Sequence, residues 1–332
     1  MTGPIDVHTH IFPRRWDDWA GRYGGRGWPR LVGDPDAGCT LYLGETFNRN
    51  LEPEAFDPVR RIADLDRLGI AIQVLSPPPP MFCYGADGPA ASEFCRMQND
   101  AIAEIVARHP ERFLGAGVLP LQAPALAVKE LERVAATLGF RCVEIGTHVD
   151  GRDLDDAGLD PVWEAAAALD VAIFVHPSLT VLGQERVQRD KLTQVVGNPL
   201  ETALAMSRII YGGIVERWPG LRWCFAHGGG AFAFGLGRLD HGWRVMPEGR
   251  AAVQRAPSEY AKRFWVDSLT HSPRALRFNL DVYGAGHVVL GSDYPFRMGT
   301  PDPLEALDTA GLDAATRRCI AIDNARAFLR LP

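Results

Sequence analysis

From about residue 57 onward the chain alternates short apolar segments with longer amphipathic ones, and this alternation restricts its fold more than any other feature. Apolar segments of about four to eight residues between amphipathic helices predict parallel strands that helices cover on both faces. With the apolar N-terminal segment there are roughly eight strand–helix units, which favours a closed (β/α)8 TIM barrel over an open doubly wound sheet. No GxGxxG motif follows the first strand, so a dinucleotide-binding fold is disfavoured.

One segment near the N-terminus does not fit the alternation. Residues 12–56 are rich in Gly, Pro, Trp and Arg, and we interpret them as a small insertion after the first strand, with short strands near 40–43, inside one domain that covers residues 1–332. The barrel strands are predicted over residues 5–10, 71–75, 113–118, 142–145, 171–175, 221–226, 264–267 and 288–290. Helices are predicted over residues 57–70, 90–108, 123–138, 159–169, 199–211, 303–312 and 314–329.

Composition disfavours several classes of partner. The net charge of −6 and the absence of a Lys/Arg cluster argue against nucleic acid. No apolar run reaches the ~18–20 residues that a membrane-spanning helix needs, and no secretory signal precedes the first strand, so no membrane partner is expected. The six cysteines are dispersed without a CxxC, which favours reduced thiols in a cytoplasmic enzyme over a disulfide framework.

Four predicted strands end in a histidine or are followed by a histidine or an aspartate. His8 and His10 end the first strand, His176 follows the fifth, His227 the sixth and Asp293 the eighth. The carboxyl ends of barrel strands share one rim, where active sites lie. Three neutral imidazoles and one carboxylate suit a divalent ion such as zinc with one open position for water, so four of these residues are predicted ligands. His227 remains as an acid/base, since an imidazole pKa of about 6.5 suits proton transfer near neutrality.

This ordered set of motifs resembles the amidohydrolase superfamily, and more closely its branch of metal-dependent decarboxylases typified by 2-amino-3-carboxymuconate-6-semialdehyde decarboxylase. The matching segments are residues 5–10, 80–82, 144–148, 225–232 and 290–296. The resemblance implies one zinc ion per site, with manganese as the alternative metal, held by His8, His10, His176 and Asp293. It also implies that His227 is the catalytic acid/base and that Asp293 takes part in catalysis.

The resemblance implies a set of substrate-binding residues as well. Arg49 matches an arginine that holds a substrate carboxylate, and Arg238 matches one donated across a homodimer interface into the neighbouring site. Guanidinium groups suit this role because they bind carboxylates bidentately and stay charged. Met81 and Phe296 lie in the matching segments and are expected to contact the substrate.

The chain differs from the decarboxylase branch at two pocket positions, and it differs from a second, two-metal branch in one strand. Ser178 and Gln194 stand where the decarboxylase branch has tryptophan, so an altered pocket is expected and the reaction class is better indicated than the substrate. A second branch binds two metals bridged by a carbamylated lysine, but residues 142–146 contain no lysine. We interpret Glu144 in this strand as a polar pocket or barrel residue and expect a single metal.

The expected activity is loss of carbon dioxide from a small unsaturated or aromatic carboxylate. A hydrolase of lactones, esters or amides, or a hydratase, is the alternative, because a metal-activated water can attack C=O or C=C equally well. A non-catalytic metal-binding protein is disfavoured, since it would not need His227 beside a complete ligand set.

Overall fold

The computed structural model describes residues 3–24, 27–178 and 182–332. Its strands are β1 (Ile5–His10), β2 (Pro29–Asp34), β3 (Gly38–Leu43), β4 (Thr46–Leu51), β5 (Ile72–Ser76), β6 (Phe113–Val118), β7 (Cys142–Gly146), β8 (His148–Val149), β9 (Arg152–Asp153), β10 (Ala172–His176), β11 (Trp223–Phe225), β12 (Trp265–Asp267) and β13 (Val288–Val289). Its α-helices are α1 (Trp19–Tyr23), α2 (Pro58–Leu68), α3 (Gly88–Arg108), α4 (Pro124–Ala136), α5 (Asp160–Ala168), α6 (Gln184–Val187), α7 (Asn198–Tyr211), α8 (Ile214–Arg217), α9 (Phe232–Val245), α10 (Pro257–Ala261), α11 (Pro273–Tyr283), α12 (Pro303–Thr309), α13 (Ala314–Arg318) and α14 (Asn324–Leu329).

Eight parallel strands form the central sheet, in the order β1-β5-β6-β7-β10-β11-β12-β13. Main-chain hydrogen bonds join its two edges: the N–H of Val7 donates to the carbonyl of Leu290 at 2.9 Å, and the N–H of His10 donates to that of Tyr294 at 2.8 Å. A parallel bridge between Thr9 and Tyr294 lies beside them. The predicted (β/α)8 barrel is therefore confirmed.

The strands are buried on both sides, which explains their nearly continuous apolar sequences. One apolar cluster packs strand residues against the helices and includes Leu75 and Val118. A second cluster contains strand residues such as Val74 and Phe174 together with Phe328 of α14. Together these clusters hold the strand ends, and the loops that follow them, in fixed positions.

The segment between β1 and β5 carries an antiparallel sheet of β2, β3 and β4. Strand β3 coincides with the short strands expected near residues 40–43. Strands β2 and β4 were not predicted, because the first contains Pro and Gly and the second is mostly polar, so neither shows clear apolar alternation. Trp19, Trp28 and Phe94 lie in an aromatic cluster that packs against buried residues of this sheet such as Leu41. Arg49 of β4 lines the cavity of the barrel.

The helices also differ from the predictions in places. Helix α9 was missed because three glycines lower its helix propensity. Helix α11 was missed although Ser272 caps its first turn and Pro273 opens it. The helix predicted over 314–329 is divided into α13, a π-helical segment Cys319–Asp323 and α14. In the described part of the chain, no helix combines the length and apolar character needed to cross a membrane.

Candidate metal centre

Three barrel strands bring the four predicted ligands together at one rim. His8 and His10 lie on β1, His176 ends β10, and Asp293 lies in the loop after β13. One ligand atom from each residue lies within 4.8 Å of all the others, and all four residues are buried. Asp293 Oδ1 lies 3.1 Å from His10 Nε2 and 3.5 Å from His8 Nε2.

The other ring nitrogen of each histidine faces a protein oxygen. His8 Nδ1 lies 2.6 Å from Asp267 Oδ2, and His176 Nδ1 lies 2.8 Å from the carbonyl oxygen of Pro177. His10 Nδ1 lies 3.4 Å from the hydroxyl of Ser76. This arrangement directs the Nε2 atom of each imidazole to the centre of the cluster, as partners of metal-binding histidines do.

The four central atoms have no hydrogen-bond partner. His8 Nε2, His10 Nε2, His176 Nε2 and Asp293 Oδ1 are buried without one among the described residues. Each buried polar atom without a hydrogen-bond partner lowers the free energy of unfolding by about 1–3 kcal/mol. Four such atoms at one point therefore indicate a binding site for a cation. Three imidazole nitrogens and one carboxylate oxygen fit a divalent ion such as zinc or manganese.

Asp267 is the residue of the site that the sequence reasoning missed. Its carboxylate contacts His8 Nδ1 and also accepts hydrogen bonds from three main-chain N–H groups. These belong to His227 at 2.9 Å, Gly228 at 2.8 Å and Leu269 at 3.0 Å. Burial raises the pKa of Asp267, but the hydrogen bond from His8, the nearby imidazoles of His8 and His227 and the main-chain N–H of Gly228 together place that pKa below its usual value. Its place at the end of β12 was the available signal, because the other strand ends were identified in that way.

His227 begins four consecutive residues with positive φ. Its own φ is 56°, and those of Gly228, Gly229 and Gly230 are 64°, 76° and 60°. A Cβ atom on Gly230 would lie 2.4 Å from the carbonyl oxygen of Pro199, which explains why glycine is required there. The glycine run therefore shapes the turn that presents His227.

The imidazole of His227 lies next to the predicted ligands. Its ring centroid is 4.8 Å from that of His176, and its Nε2 is 3.8 Å from Asp293 Oδ2. Burial lowers the pKa of His227, but the hydrogen bond and charge of Asp293, together with the carboxylates of Asp267 and Glu144, raise that pKa above its usual value. For His176, by contrast, burial and the neighbouring imidazoles place the pKa well below its usual value. A bound cation would add positive charge at the same point.

The cluster lies at the base of a cavity of about 1470 Å³ that His10, His176, His227 and Asp293 help to line. Arg49 and Phe296 line it as well. The guanidinium carbon of Arg49 lies 4.5 Å from the ring centroid of Phe296, which in turn is 5.3 Å from that of His10. Arg49 Nε donates to Asn48 Oδ1 at 2.9 Å, so its position is set by both neighbours.

Two further sequence expectations concern the same cavity. Ser178 and Gln194 line it, as expected for pocket positions. Glu144 is buried beside the cluster, where it accepts a hydrogen bond from Ser76 and its Oε1 lies 3.8 Å from His10 Nδ1. Burial raises the pKa of Glu144 to about 7.

The structure does not bring Met81 or Arg238 to the cavity. Met81 is fully buried in the aromatic cluster of the insertion, and it is not one of the described residues that line the cavity. A substrate contact at Met81 stays a prediction, and Pro80 and Phe82, on either side of it, line the cavity. Arg238 lies exposed on α9, outside the cavity lining of its own chain.

Comparisons with known proteins agree with this site. The amidohydrolase family profile matches residues 5–331. A 2-amino-3-carboxymuconate-6-semialdehyde decarboxylase from Dictyostelium discoideum is 38% identical over 98% of this chain and 91% of its own length. The structure of 5-carboxyvanillate decarboxylase from Sphingomonas paucimobilis matches with a TM-score of 0.83 and 27% identity, over 100% of both chains. That of a dihydroxybenzoic acid decarboxylase from Polaromonas sp. JS666, with bound manganese and 2-nitroresorcinol, matches with a TM-score of 0.81 and 25% identity, over 100% of this chain and 98% of its own.

Proposed function

Because the chain belongs to the amidohydrolase family, we propose that it is a metal-dependent decarboxylase that removes carbon dioxide from a small unsaturated or aromatic carboxylate. The observation that carries the proposal is the set of four buried ligand atoms that have no hydrogen-bond partner among the described residues, with His227 and Arg49 lining the same cavity. The names of the relatives support the reaction class, because the three similar proteins described above are all decarboxylases.

His8, His10, His176 and Asp293 would hold the metal ion. Bound there, a divalent ion supplies a Lewis acid that stabilises negative charge on a substrate oxygen. We propose zinc, one ion per site, because three imidazoles and one carboxylate are a common zinc donor set. Manganese is the alternative, and a structural relative with bound manganese supports it.

Arg49 would position the substrate carboxylate. Its Nε is occupied by Asn48, whereas no hydrogen bond with another described residue occupies its Nη nitrogens. Those nitrogens can bind a carboxylate bidentately while the guanidinium stacks on Phe296. This contact orients the carbon that carries the leaving carboxylate towards His227.

His227 would deliver the proton that the reaction requires. As the bond between the substrate carbon and its carboxylate breaks, the electron pair stays with the carbon, a proton from His227 takes the vacated position and carbon dioxide leaves. His227 then regains a proton from water. The Asp267 hydrogen bond to the main chain of His227 keeps the imidazole in place during this transfer.

The proposal is tested by supplying metal-loaded protein with candidate carboxylates. 2,6-Dihydroxybenzoate, 5-carboxyvanillate and 2-amino-3-carboxymuconate-6-semialdehyde represent the substrates of the decarboxylase relatives. We expect carbon dioxide release from at least one, with solvent deuterium incorporated at the decarboxylated carbon. Hydrolysis of a lactone or ester, or hydration of C=C with incorporation of labelled water oxygen, without any carbon dioxide release would favour the alternative hydrolase or hydratase.

We also propose that the enzyme acts as a homodimer in which Arg238 reaches the neighbouring site. Arg238 lies one helical turn after Phe234 on α9, so the two side chains share a face, and Phe234 lines the mouth of the cavity. Mixing the inactive variants His227→Asn and Arg238→Ala should restore part of the activity, because a mixed dimer contains one site with both residues intact. Each variant mixed with itself is the control, and a mixture that stays inactive would contradict donation between subunits.

A cytoplasmic location remains a proposal as well. It rests on the six cysteines, which are all free and of which four are buried. Reduced buried thiols are typical of proteins from reducing compartments.

A further inference from the structure

Arg61 is a fully buried arginine on α2, and it is not one of the described residues that line the cavity. Its Nη2 donates to the carbonyl oxygen of His10 at 2.5 Å and to that of Glu54 at 3.2 Å, and its Nη1 donates to Gln73 Oε1 at 3.2 Å. Its guanidinium carbon lies 4.5 Å from the ring centroid of Tyr294, the residue after Asp293. Arg61 therefore contacts two of the three chain segments that carry the predicted metal ligands, and it does not contact His176.

Through Asp6, Gln73 extends these contacts to His8 and to Ser292, the residue before Asp293. Its Nε2 donates to Asp6 Oδ2 at 3.1 Å. Asp6 in turn accepts hydrogen bonds from the main-chain N–H of His8 at 3.3 Å and from the N–H and hydroxyl of Ser292 at 3.1 and 2.6 Å. The network therefore ends on His8 and on the residue that precedes Asp293.

Among the described residues, the guanidinium of Arg61 forms no ion pair: its hydrogen bonds go to two main-chain carbonyls and to the amide oxygen of Gln73. Its Nε has no hydrogen-bond partner among those residues. Burying a charge without an ion pair is unfavourable, and apolar side chains of similar volume often stabilise a protein as well or better. A purely stabilising role therefore does not explain why this position holds arginine.

We propose that Arg61, acting through Gln73 and Asp6, is a positioning residue for the metal centre. It fixes the distance between the His8–His10 segment of β1 and the Asp293 loop after β13, and thereby sets the metal affinity of the site. The inference rests on the proposed metal centre but not on the proposed reaction, because metal affinity is measured without substrate.

The test compares the metal affinity of Arg61→Met with that of the wild type and of a matched control, Arg222→Met. Arg222 is also a buried arginine, and it donates to the main-chain carbonyls of Phe328 and Asp170 at 2.7 Å. It also forms an ion pair with the Asp170 carboxylate, and none of its hydrogen bonds goes to a described residue of the metal centre. Each protein is stripped of metal and titrated with zinc against a competing chelator. Thermal unfolding of the metal-free forms and the visible absorption of the cobalt-loaded forms are recorded alongside.

We expect Arg61→Met to weaken zinc binding by about 10–100-fold, as loss of a group that orients metal ligands does. Its cobalt spectrum should change, whereas Arg222→Met should lower the unfolding temperature of the metal-free protein and leave metal affinity and spectrum at wild-type values. Arg61→Lys keeps the charge but cannot make the directed contacts, so it should recover only part of the affinity.

Wild-type zinc affinity in Arg61→Met would overturn the proposal, as would an equal loss of affinity in Arg222→Met. If Arg61→Met does not fold, Arg61→Lys decides in its place: weakened zinc binding supports the proposal and unchanged binding overturns it. If the wild-type protein itself binds neither zinc nor manganese, the metal centre and the inference fail together. Wild-type protein that binds zinc tightly but decarboxylates no substrate would overturn the reaction alone.

Discussion

The base and the mouth of the cavity are built in different ways. The base consists of side chains on or just after barrel strands, and its ligand atoms are buried and oriented by other protein groups. The mouth is formed by exposed side chains of helical segments outside the barrel strands, among them Gln194 and Val195 of the π-helical segment Thr193–Gly197, Phe234 of α9 and Phe278 of α11, and Phe234 is 91% exposed. The contrast indicates that the barrel strands fix the chemistry while the segments that follow them set which carboxylate enters.

Removing one metal ligand from the base should have the largest effect. His176→Ala removes one of four donor atoms and leaves the others buried without partners, so both metal content and activity should fall to background. Metal analysis and carbon dioxide release measure the two effects. His109→Ala, outside the cavity, is the control, and full metal content in His176→Ala would show that this histidine is not a ligand.

Replacing the acid/base should separate chemistry from metal binding. His227→Asn removes the proton donor but none of the four ligand atoms, so we expect kcat to fall by about 10²–10⁴-fold with metal content unchanged. Steady-state kinetics and metal analysis of the same preparation test this. Turnover at the wild-type rate would contradict the role given to His227.

Removing the charge of the carboxylate that orients His8 should have an intermediate effect on metal binding. Asp267→Asn keeps the size of the side chain but removes the charge that faces His8 Nδ1, so metal affinity should drop by about 10–100-fold. Competition with a chelator measures the change. An unaltered metal affinity would mean that the 2.6 Å contact between Asp267 and His8 does not affect how strongly His8 binds the metal.

A change at the mouth should have the smallest effect and a different character. Gln194→Leu replaces a polar lining residue by an apolar one, so it should change the ratio of kcat/KM between two carboxylates by up to about tenfold. Metal content should stay at the wild-type value. A loss of metal in this variant would contradict the claim that residues at the mouth affect substrate choice but not metal binding.

The same distinction explains how much of the molecule could be predicted from the sequence. His8, His10, His176 and Asp293 were found because each stands at a strand end, where barrel topology brings distant positions together. Asp267 stands at an equivalent position, but only the folded structure reveals its hydrogen bond to His8. Strand ends thus identify the ligands more readily than the groups that support them.

Other residues could not be placed because their role depends on packing. Arg61 belongs to an amphipathic helix in which arginine is usually exposed, and its burial follows from the contact between α2 and β1. Met81 is buried in the aromatic cluster of the insertion, while Pro80 and Phe82, on either side of it, line the cavity. A sequence pattern does not fix either orientation.

The most direct test of the central claim is the divalent metal content of the purified protein. We expect close to one zinc or manganese ion per chain, retained after dialysis against metal-free buffer and lost in a variant that lacks His8 and His10. A wild-type chain that retains no divalent ion, even after incubation with zinc and manganese, would contradict it.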